Sequence, residues 1–372
     1  MNMTGLRFNG SGSEFFKIWI VNVLLTIVTI GLYYPWAKVR TKRYFYGNTT
    51  LENNNFEYHA TGKQLFVSYL IAMGLLIIYF IVEQISVPLS TLMFVIFLIG
   101  LPWIIWRSLM FNMRITSFAN VRFKFTGKLS DAYMVYIIYP GILILLALII
   151  AVVIGGFAIL ILIPFYIFAF AYIKKKVTEY KMNHAKYGQG QFNCYLQLKP
   201  LVMITLKTFG IFILATLLSI GFASLFISFS DLATLAQNPE LMSENSSTLA
   251  LLVFVVYAGF LFTGLLTYAY SASRYRNYIY ENLTLDRKID FHSSLSARTL
   301  AWIVFSNLIL LVITLGLALP WTKVRLARAF VENTHVRVDE GLNSYIDQAQ
   351  AQQSAFGEQV GDAFDVDAGI AL

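Results

Sequence analysis

Asn22, Thr29 and Gly31 lie inside the first long apolar stretch of this chain, and Asn307, Thr314 and Gly316 lie at the same spacing inside the last. Carboxamides and hydroxyls in such surroundings hydrogen-bond a neighbouring helix or a polar solute, and a glycine between them breaks the helix and bares backbone groups. These six are the candidate solute-binding residues. Just beyond them, Trp36, Lys38, Arg40 and Arg43 are matched by Trp321, Lys323, Arg325 and Arg328. An aromatic followed by cations is the chemistry of a membrane boundary, where the ring sits at head-group level and the cations meet anionic head groups or a phosphorylated solute. Each set also has a plainer role. The Asn pair serves equally as interhelical hydrogen bonding, worth about 0.6 kcal/mol each, and the cations as topological anchors.

Catalytic chemistry finds no footing. The chain offers no nucleophile beside a base, no carboxylate pair and no glycine-rich phosphate loop, so it is not expected to be an enzyme. His59, His184, His292 and His335 lack the spacing of a ligand set, and Cys194 is the single cysteine, so no metal, cofactor or disulfide is expected. Ionisable residues are nearly absent from the apolar runs, which argues against a proton-driven pump. The net charge of +8 gathers at the ends of apolar stretches, a placement that suits bilayer lipid and excludes nucleic acid as the partner.

The elements that must carry these residues are membrane segments. Hydrophobic residues make up 58% and charged residues 13% of the 372, and the mean hydropathy is +0.65, far from a soluble globule. Apolar runs of spanning length fall near residues 15–36, 65–82, 87–106, 134–153, 157–173, 201–229, 249–270 and 300–321, with Gly155-Gly156 turning the chain between the fourth and fifth. The expected fold is an all-α polytopic bundle of six to eight membrane segments. It forms one transmembrane domain over 1–338, followed by an acidic tail over 339–372.

Lys and Arg fill alternate connections, those after the first, third and fifth runs and before the last, while the intervening connections at Glu83, Gly155-Gly156 and 230–248 hold none. The basic connections are therefore expected in the cytoplasm. The last run conflicts with this rule, because Arg287, Lys288 and Arg298 precede it and Lys323, Arg325, Arg328 and Arg337 follow it. Either the first and last runs simply span, or both re-enter, broken near Thr29-Ile30-Gly31 and Thr314-Leu315-Gly316. Non-helical backbone at depth requires protein or water to satisfy it.

The first and last runs match at a fixed offset of 285 residues: Asn22 with Asn307, Thr29 with Thr314, Gly31-Leu32 with Gly316-Leu317, Pro35-Trp36 with Pro320-Trp321, and Lys38-Val39-Arg40 with Lys323-Val324-Arg325. Arg43 with Arg328 and Asn48-Thr49 with Asn333-Thr334 extend the match, an internal repeat. The Pro-Trp-Ala-Lys-Val-Arg run at 35–40, Arg43-Tyr44 and Asn48-Thr49, with their recurrence and the ending Phe356-Gly357-Glu358-Gln359, resemble the YjgN family of bacterial inner-membrane proteins. That resemblance implies a multi-pass protein of the bacterial inner membrane and supplies no activity. After Arg337 come seven acids and no basic residue. Such a tail docks on the basic loops, recruits a cytoplasmic partner, or stays solvated; Phe356, Val360 and Phe364 suggest a short amphipathic helix within it. The leading functional expectation is transport or channel-like passage of a small polar or amphipathic solute. The alternative is a non-transporting scaffold or lipid-interacting protein.

Overall fold

The basic connections between the apolar runs pair with one another. Val121-Arg122-Phe123-Lys124-Phe125 alternates inward apolar with outward cationic side chains, the period of a half-buried strand. A computed structural model describes residues 3–224, 246–338 and 344–351. Its strands are β1 (Met3–Gly5), β2 (Arg7–Phe8), β3 (Thr49–Leu51), β4 (Asn54–Tyr58), β5 (Thr116–Phe118), β6 (Val121–Phe125), β7 (Ala185–Tyr187), β8 (Gly190–Cys194), β9 (Leu283–Leu285), β10 (Ile289–Ser293) and β11 (Thr334–Val338). They form one antiparallel sheet in the order β1-β11-β10-β9-β8-β7-β6-β5-β4-β3-β2. Tight reversals at Glu52, Ala119-Asn120, Gly188 and Asp286-Arg287 have positive φ, the backbone twist that suits two-residue hairpins.

The two ends of that order, β1 and β2, are consecutive in the chain, separated by Leu6 alone. The sheet is therefore a nearly closed ring. Met3, Thr4 and Gly5 pair with Arg337, Val336 and His335 on one side, and Arg7 and Phe8 pair with Thr50 and Thr49 on the other.

Between successive strand pairs the chain rises into helical hairpins. These are α1 (Gly12–Val28) with α2 (Tyr34–Gly47), and α3 (Gly62–Ile85) with α4 (Val87–Arg114). The third comprises α5 (Leu129–Tyr133), a wide turn, and α6 (Tyr139–Ile154), doubling back at Gly155 into α7 (Ala158–Asn183). Then come α8 (Leu198–Ala223) with α9 (Ser246–Glu281), and α10 (Ala297–Ile313) with α11 (Leu319–Glu332). Helix starts are fixed locally: Ser11 Oγ accepts from the Glu14 amide, and Thr61 with Gln64 makes a reciprocal capping box. The second helix of each hairpin packs on the first helix of the next, and α11 packs on α1 to complete the circle.

The expectation of an all-α bundle of six to eight segments is corrected by this sheet. Five helical stretches among the described residues are long and apolar enough to cross a membrane: Gly62–Ile85, Val87–Arg114, Leu129–Asn183, Leu198–Phe222 and Phe254–Glu281. The physical reason is backbone satisfaction. Connections that leave a helix with unpaired amides and carbonyls must bond something, and here they bond each other. Most of the 230–248 connection, and the tail positions Phe356, Val360 and Phe364, lie outside the described residues.

Packing at the circle's seam repeats packing elsewhere. The Trp36 ring covers Gly62, where an added Cβ would sit 2.1 Å from its Cδ1, and the Trp321 ring covers Gly12 with 2.2 Å. Gly12→Ala is therefore expected to destabilise by about 1–3 kcal/mol through overpacking. Gly141→Ala, in open space on α6, is expected to stabilise slightly through helix propensity. Melting temperatures of the two variants in one detergent check the opposite signs.

Candidate functional site: two broken hairpins and an apolar collar

The stretches 15–36 and 300–321 each hold a helix, a break and the start of a second helix. α1 has 17 residues and α2 has 14, and α10 and α11 repeat those lengths. At 1.5 Å per residue they rise only about 21–26 Å from the sheet. The neighbouring α3 and α4, with 24 and 28 residues, rise about 36–42 Å. Because α11 packs on α1, the two short hairpins stand side by side, and one sector of the circle is low.

The same chemistry makes each break. Ile30 and Gly31 have φ of 50° and 87°, and Leu315 and Gly316 have 49° and 86°. The Thr29 hydroxyl donates to the Leu25 carbonyl at 2.7 Å and accepts the Tyr33 amide at 2.9 Å. The Thr314 hydroxyl donates to Leu310 at 2.7 Å and accepts the Ala318 amide at 3.1 Å. Gly31 and Gly316 amides close wide turns onto Thr26 and Leu311. Both threonine hydroxyls are thus spent on the backbone of the break. Ile30 and Leu315 at the tips are 93% exposed, apolar side chains with nothing to cover them but lipid.

Asn22 and Asn307 are buried and hold the hairpins together. Asn22 Nδ2 donates to the Ala37 carbonyl at 3.4 Å and its Oδ1 accepts Arg40 Nη1 at 3.2 Å. Asn307 Nδ2 donates to Thr322 at 3.3 Å and its Oδ1 accepts Arg325 Nη1 at 3.4 Å. Arg40 and Arg325 form no ion pair with a carboxylate among the described residues and are exposed. Their free donors suit a phosphate or carboxylate.

Arg43 and Arg328 serve differently. Arg43 donates to the Tyr58 and Ala60 carbonyls at 3.3 and 2.8 Å, and Arg328 to the Gly10 carbonyl at 3.1 Å. Each ties the end of one hairpin to the root of the next. Trp106 to Gly127 at 2.7 Å and Asn277 to Leu295 at 3.0 Å do the same at two other roots. Lys38 and Lys323 are exposed.

Two constellations escaped the sequence reading. Arg40, Arg107, Lys176, Arg274 and Arg325 each lie seven residues before the last residue of α2, α4, α7, α9 and α11, and Trp36, Trp103, Tyr172, Tyr270 and Trp321 each lie four residues before those cations. All five pairs therefore stand about 10–16 Å from the sheet, a belt of aromatic rings and cations at one level. The cation lies 5.6–6.0 Å from its own ring at Lys176, Arg274 and Arg107. The spacing was legible, but only its Pro-Trp instances stand out to the eye.

The second is inside the sheet. Leu51, Phe118, Val121, Tyr187, Leu285, Ile289 and Val336 come from strands all around the ring yet form one cluster, so they fill its interior. Packed on them are Leu6, between β1 and β2, and Phe56, Phe123, Phe192 and Phe291, one from each of β4, β6, β8 and β10, the strands that lead into the other helical hairpins. Phe123 and Phe192 ring centres are 6.4 Å apart, and Phe192 and Phe291 5.8 Å. These five make an apolar collar. A helix at 344–351 lies against the cluster: Ile346 and Ala349 are buried, Gln350 donates to the Ala119 carbonyl at 2.7 Å, and the Tyr345 hydroxyl donates to Asp286 at 2.6 Å. Burial and the Asp286 carboxylate push the Tyr345 phenol upward, so it stays a donor at every physiological pH. Burial likewise pushes the Cys194 thiol, at a strand-to-helix root, up to about 12, which leaves it inert.

The Asn22→Leu substitution removes the side-chain donor to the Ala37 carbonyl and one of the two acceptors of Arg40 Nη1, leaving Tyr33 as the other. It is expected to cost about 1–3 kcal/mol, with Asn307→Leu costing a similar amount, as read from denaturation in mild detergent.

Comparison with known proteins agrees with this architecture of membrane helices. Residues 3–363 match the family described as bacterial protein of unknown function, DUF898. The inner membrane protein YjgN of Salmonella typhimurium is 29% identical over 357 residues, covering 90% of this chain and 88% of that one. YjgN of Escherichia coli K12 is 33% identical over 134 residues, 36% of this chain and 34% of the relative. No solved structure matches. The chain belongs to the DUF898 family and, like the YjgN proteins it resembles, is a multi-pass protein of the bacterial inner membrane.

Proposed function

We propose that the protein passes a small polar or amphipathic solute across the inner membrane, with the sheet ring as a gate on the cytoplasmic side. The observation that carries this reading is the collar of Leu6, Phe56, Phe123, Phe192 and Phe291 inside a nearly closed ring, covered by the 344–351 helix. Apolar constrictions of this kind gate by excluding water.

Sidedness follows from charge. The Lys and Arg residues cluster in the sheet and the helix ends beside it, and the far turns at Ile85–Val87 and Gly155–Phe157 carry none, so the sheet faces the cytoplasm. The recurrence of collar residues and belt pairs five times, with root ties at four of the junctions, supports reading the chain as five quasi-equivalent units, an internal repeat whose fifth strand pair is completed by the N-terminal strand.

Proteoliposomes loaded with choline or glutamate test the gate. Phe123→Ser with Phe192→Ser, in a chain ending at Val338, is expected to speed efflux at least tenfold over the unaltered protein. If that variant keeps its helicity and elution volume but leaks no faster than protein-free vesicles, the passage reading is wrong and a non-transporting scaffold takes its place.

A further inference from the structure

Where the circle steps down from the tall α9 to the short α10, the two helices leave a cleft of about 360 Å³. Phe254, Leu261 and Leu265 line it from α9, and Phe305, Ile309 and Ile313 from α10. Its size falls within the roughly 300–1,000 Å³ of ordinary small-molecule sites, yet its walls are aliphatic and aromatic throughout, so its occupant there is a hydrocarbon chain.

What lies at the sheet end of the cleft identifies the rest of that occupant. Ser306 precedes Ile309 by three residues and Ile313 by seven, which puts its hydroxyl on the same face of α10, one turn closer to the sheet. That hydroxyl donates to the Trp302 carbonyl at 2.6 Å and accepts Arg325 Nη1 at 2.7 Å, and Nη1 also donates to Asn307 Oδ1 at 3.4 Å, so Ser306 serves to position the guanidinium. Asn307 is buried and anchored on the Thr322 carbonyl, so the guanidinium is fixed on one side, and Arg325 is exposed with no carboxylate partner among the described residues. Trp302, a further turn toward the sheet on the same face, is 63% exposed. An aromatic ring, a fixed and uncompensated guanidinium and an apolar cleft succeed one another along a single stripe. Read toward the membrane interior, that is head-group boundary, phosphate and acyl chain.

We infer that the α9–α10 cleft is a binding site for an anionic glycerophospholipid, with the phosphate on Arg325 and one acyl chain between Phe254, Leu261, Ile309 and Ile313. The neighbouring low sector over the Ile30 and Leu315 tips gives the lipid a lateral path to it. Arg40, the counterpart on the first hairpin, is held differently: its Nη1 bonds Asn22 Oδ1 and the Tyr33 hydroxyl. The site stands whether or not the ring conducts a solute.

Quenching of tryptophan by lipids brominated on the acyl chain reads the site directly. The full-length protein is reconstituted in nanodiscs doped with brominated phosphatidylglycerol or brominated phosphatidylcholine, and the Trp302 signal is taken as the difference from Trp302→Phe. Phosphatidylglycerol is expected to quench Trp302 at less than one-third the mole fraction that phosphatidylcholine requires. Arg325→Gln should erase that preference, Arg325→Lys should retain part of it, and Lys63→Gln, on a distant helix start, should leave it intact. Ile309→Trp, which fills the cleft, should abolish the preference with Arg325 untouched. Equal quenching by both lipids in the unaltered protein would reduce the cleft to ordinary annular contact. Disulfide cross-linking between copies at Phe254→Cys and Ile313→Cys in a Cys194→Ser background would make it a protein interface instead; either result overturns the inference.

Discussion

Pairing of β1 with β11 joins the two ends of the described fold, and the rest of the architecture depends on it. A sheet of strands two to five residues long has little cooperative strength, and its open edges would expose unpaired amides and carbonyls. Residues 3–8 close it by bonding β11 with one half and β3 with the other. Every contact that crosses the seam has a counterpart inside the chain. Arg328 reaches the Gly10 carbonyl as Arg43 reaches Ala60, and Trp321 covers Gly12 as Trp36 covers Gly62. The seam is held by the same contacts as the junction between the first and second hairpins.

Closure also fixes which hairpins are neighbours. In a linear array the first and last hairpins would be the farthest apart; in a circle they touch. The two broken, short hairpins thereby combine into one low sector, flanked by the tall α3 and α9. Short helices alone would be marginal in any solvent. Here each is braced by an Asn–Arg pair within the hairpin and by the next hairpin's first helix outside it. The positive φ at Ile30 and Leu315, costly for branched or bulky residues, persists because threonine hydroxyls and wide-turn amides satisfy the backbone around it.

The interior of the ring is filled rather than open. Small barrels leave room only for side chains, and the Leu and Phe residues of the collar occupy it. The helical residues 344–351 are held against the ring by Ile346, Ala349, Tyr345 and Gln350.

By itself the sequence determined the solvent, the helices and the family. Uncharged runs near 20 residues can only be satisfied in lipid as helices, Gly155 had to turn the chain, and gapless identities at a 285-residue offset announced that the first and last segments are alike. The sequence did not determine the sheet, because strands of two to five residues offer one or two periods of alternation, and their aromatic and basic residues read equally well as membrane anchors. Only the tertiary structure decided that Phe56, Phe123, Phe192 and Phe291 converge, that Arg43 and Arg328 tie neighbouring hairpins, and that the alike ends stand side by side. The last of these follows from β pairing between residues more than 300 positions apart, and hydrogen bonds between backbones carry no mark of their partner in the side chains that specify them.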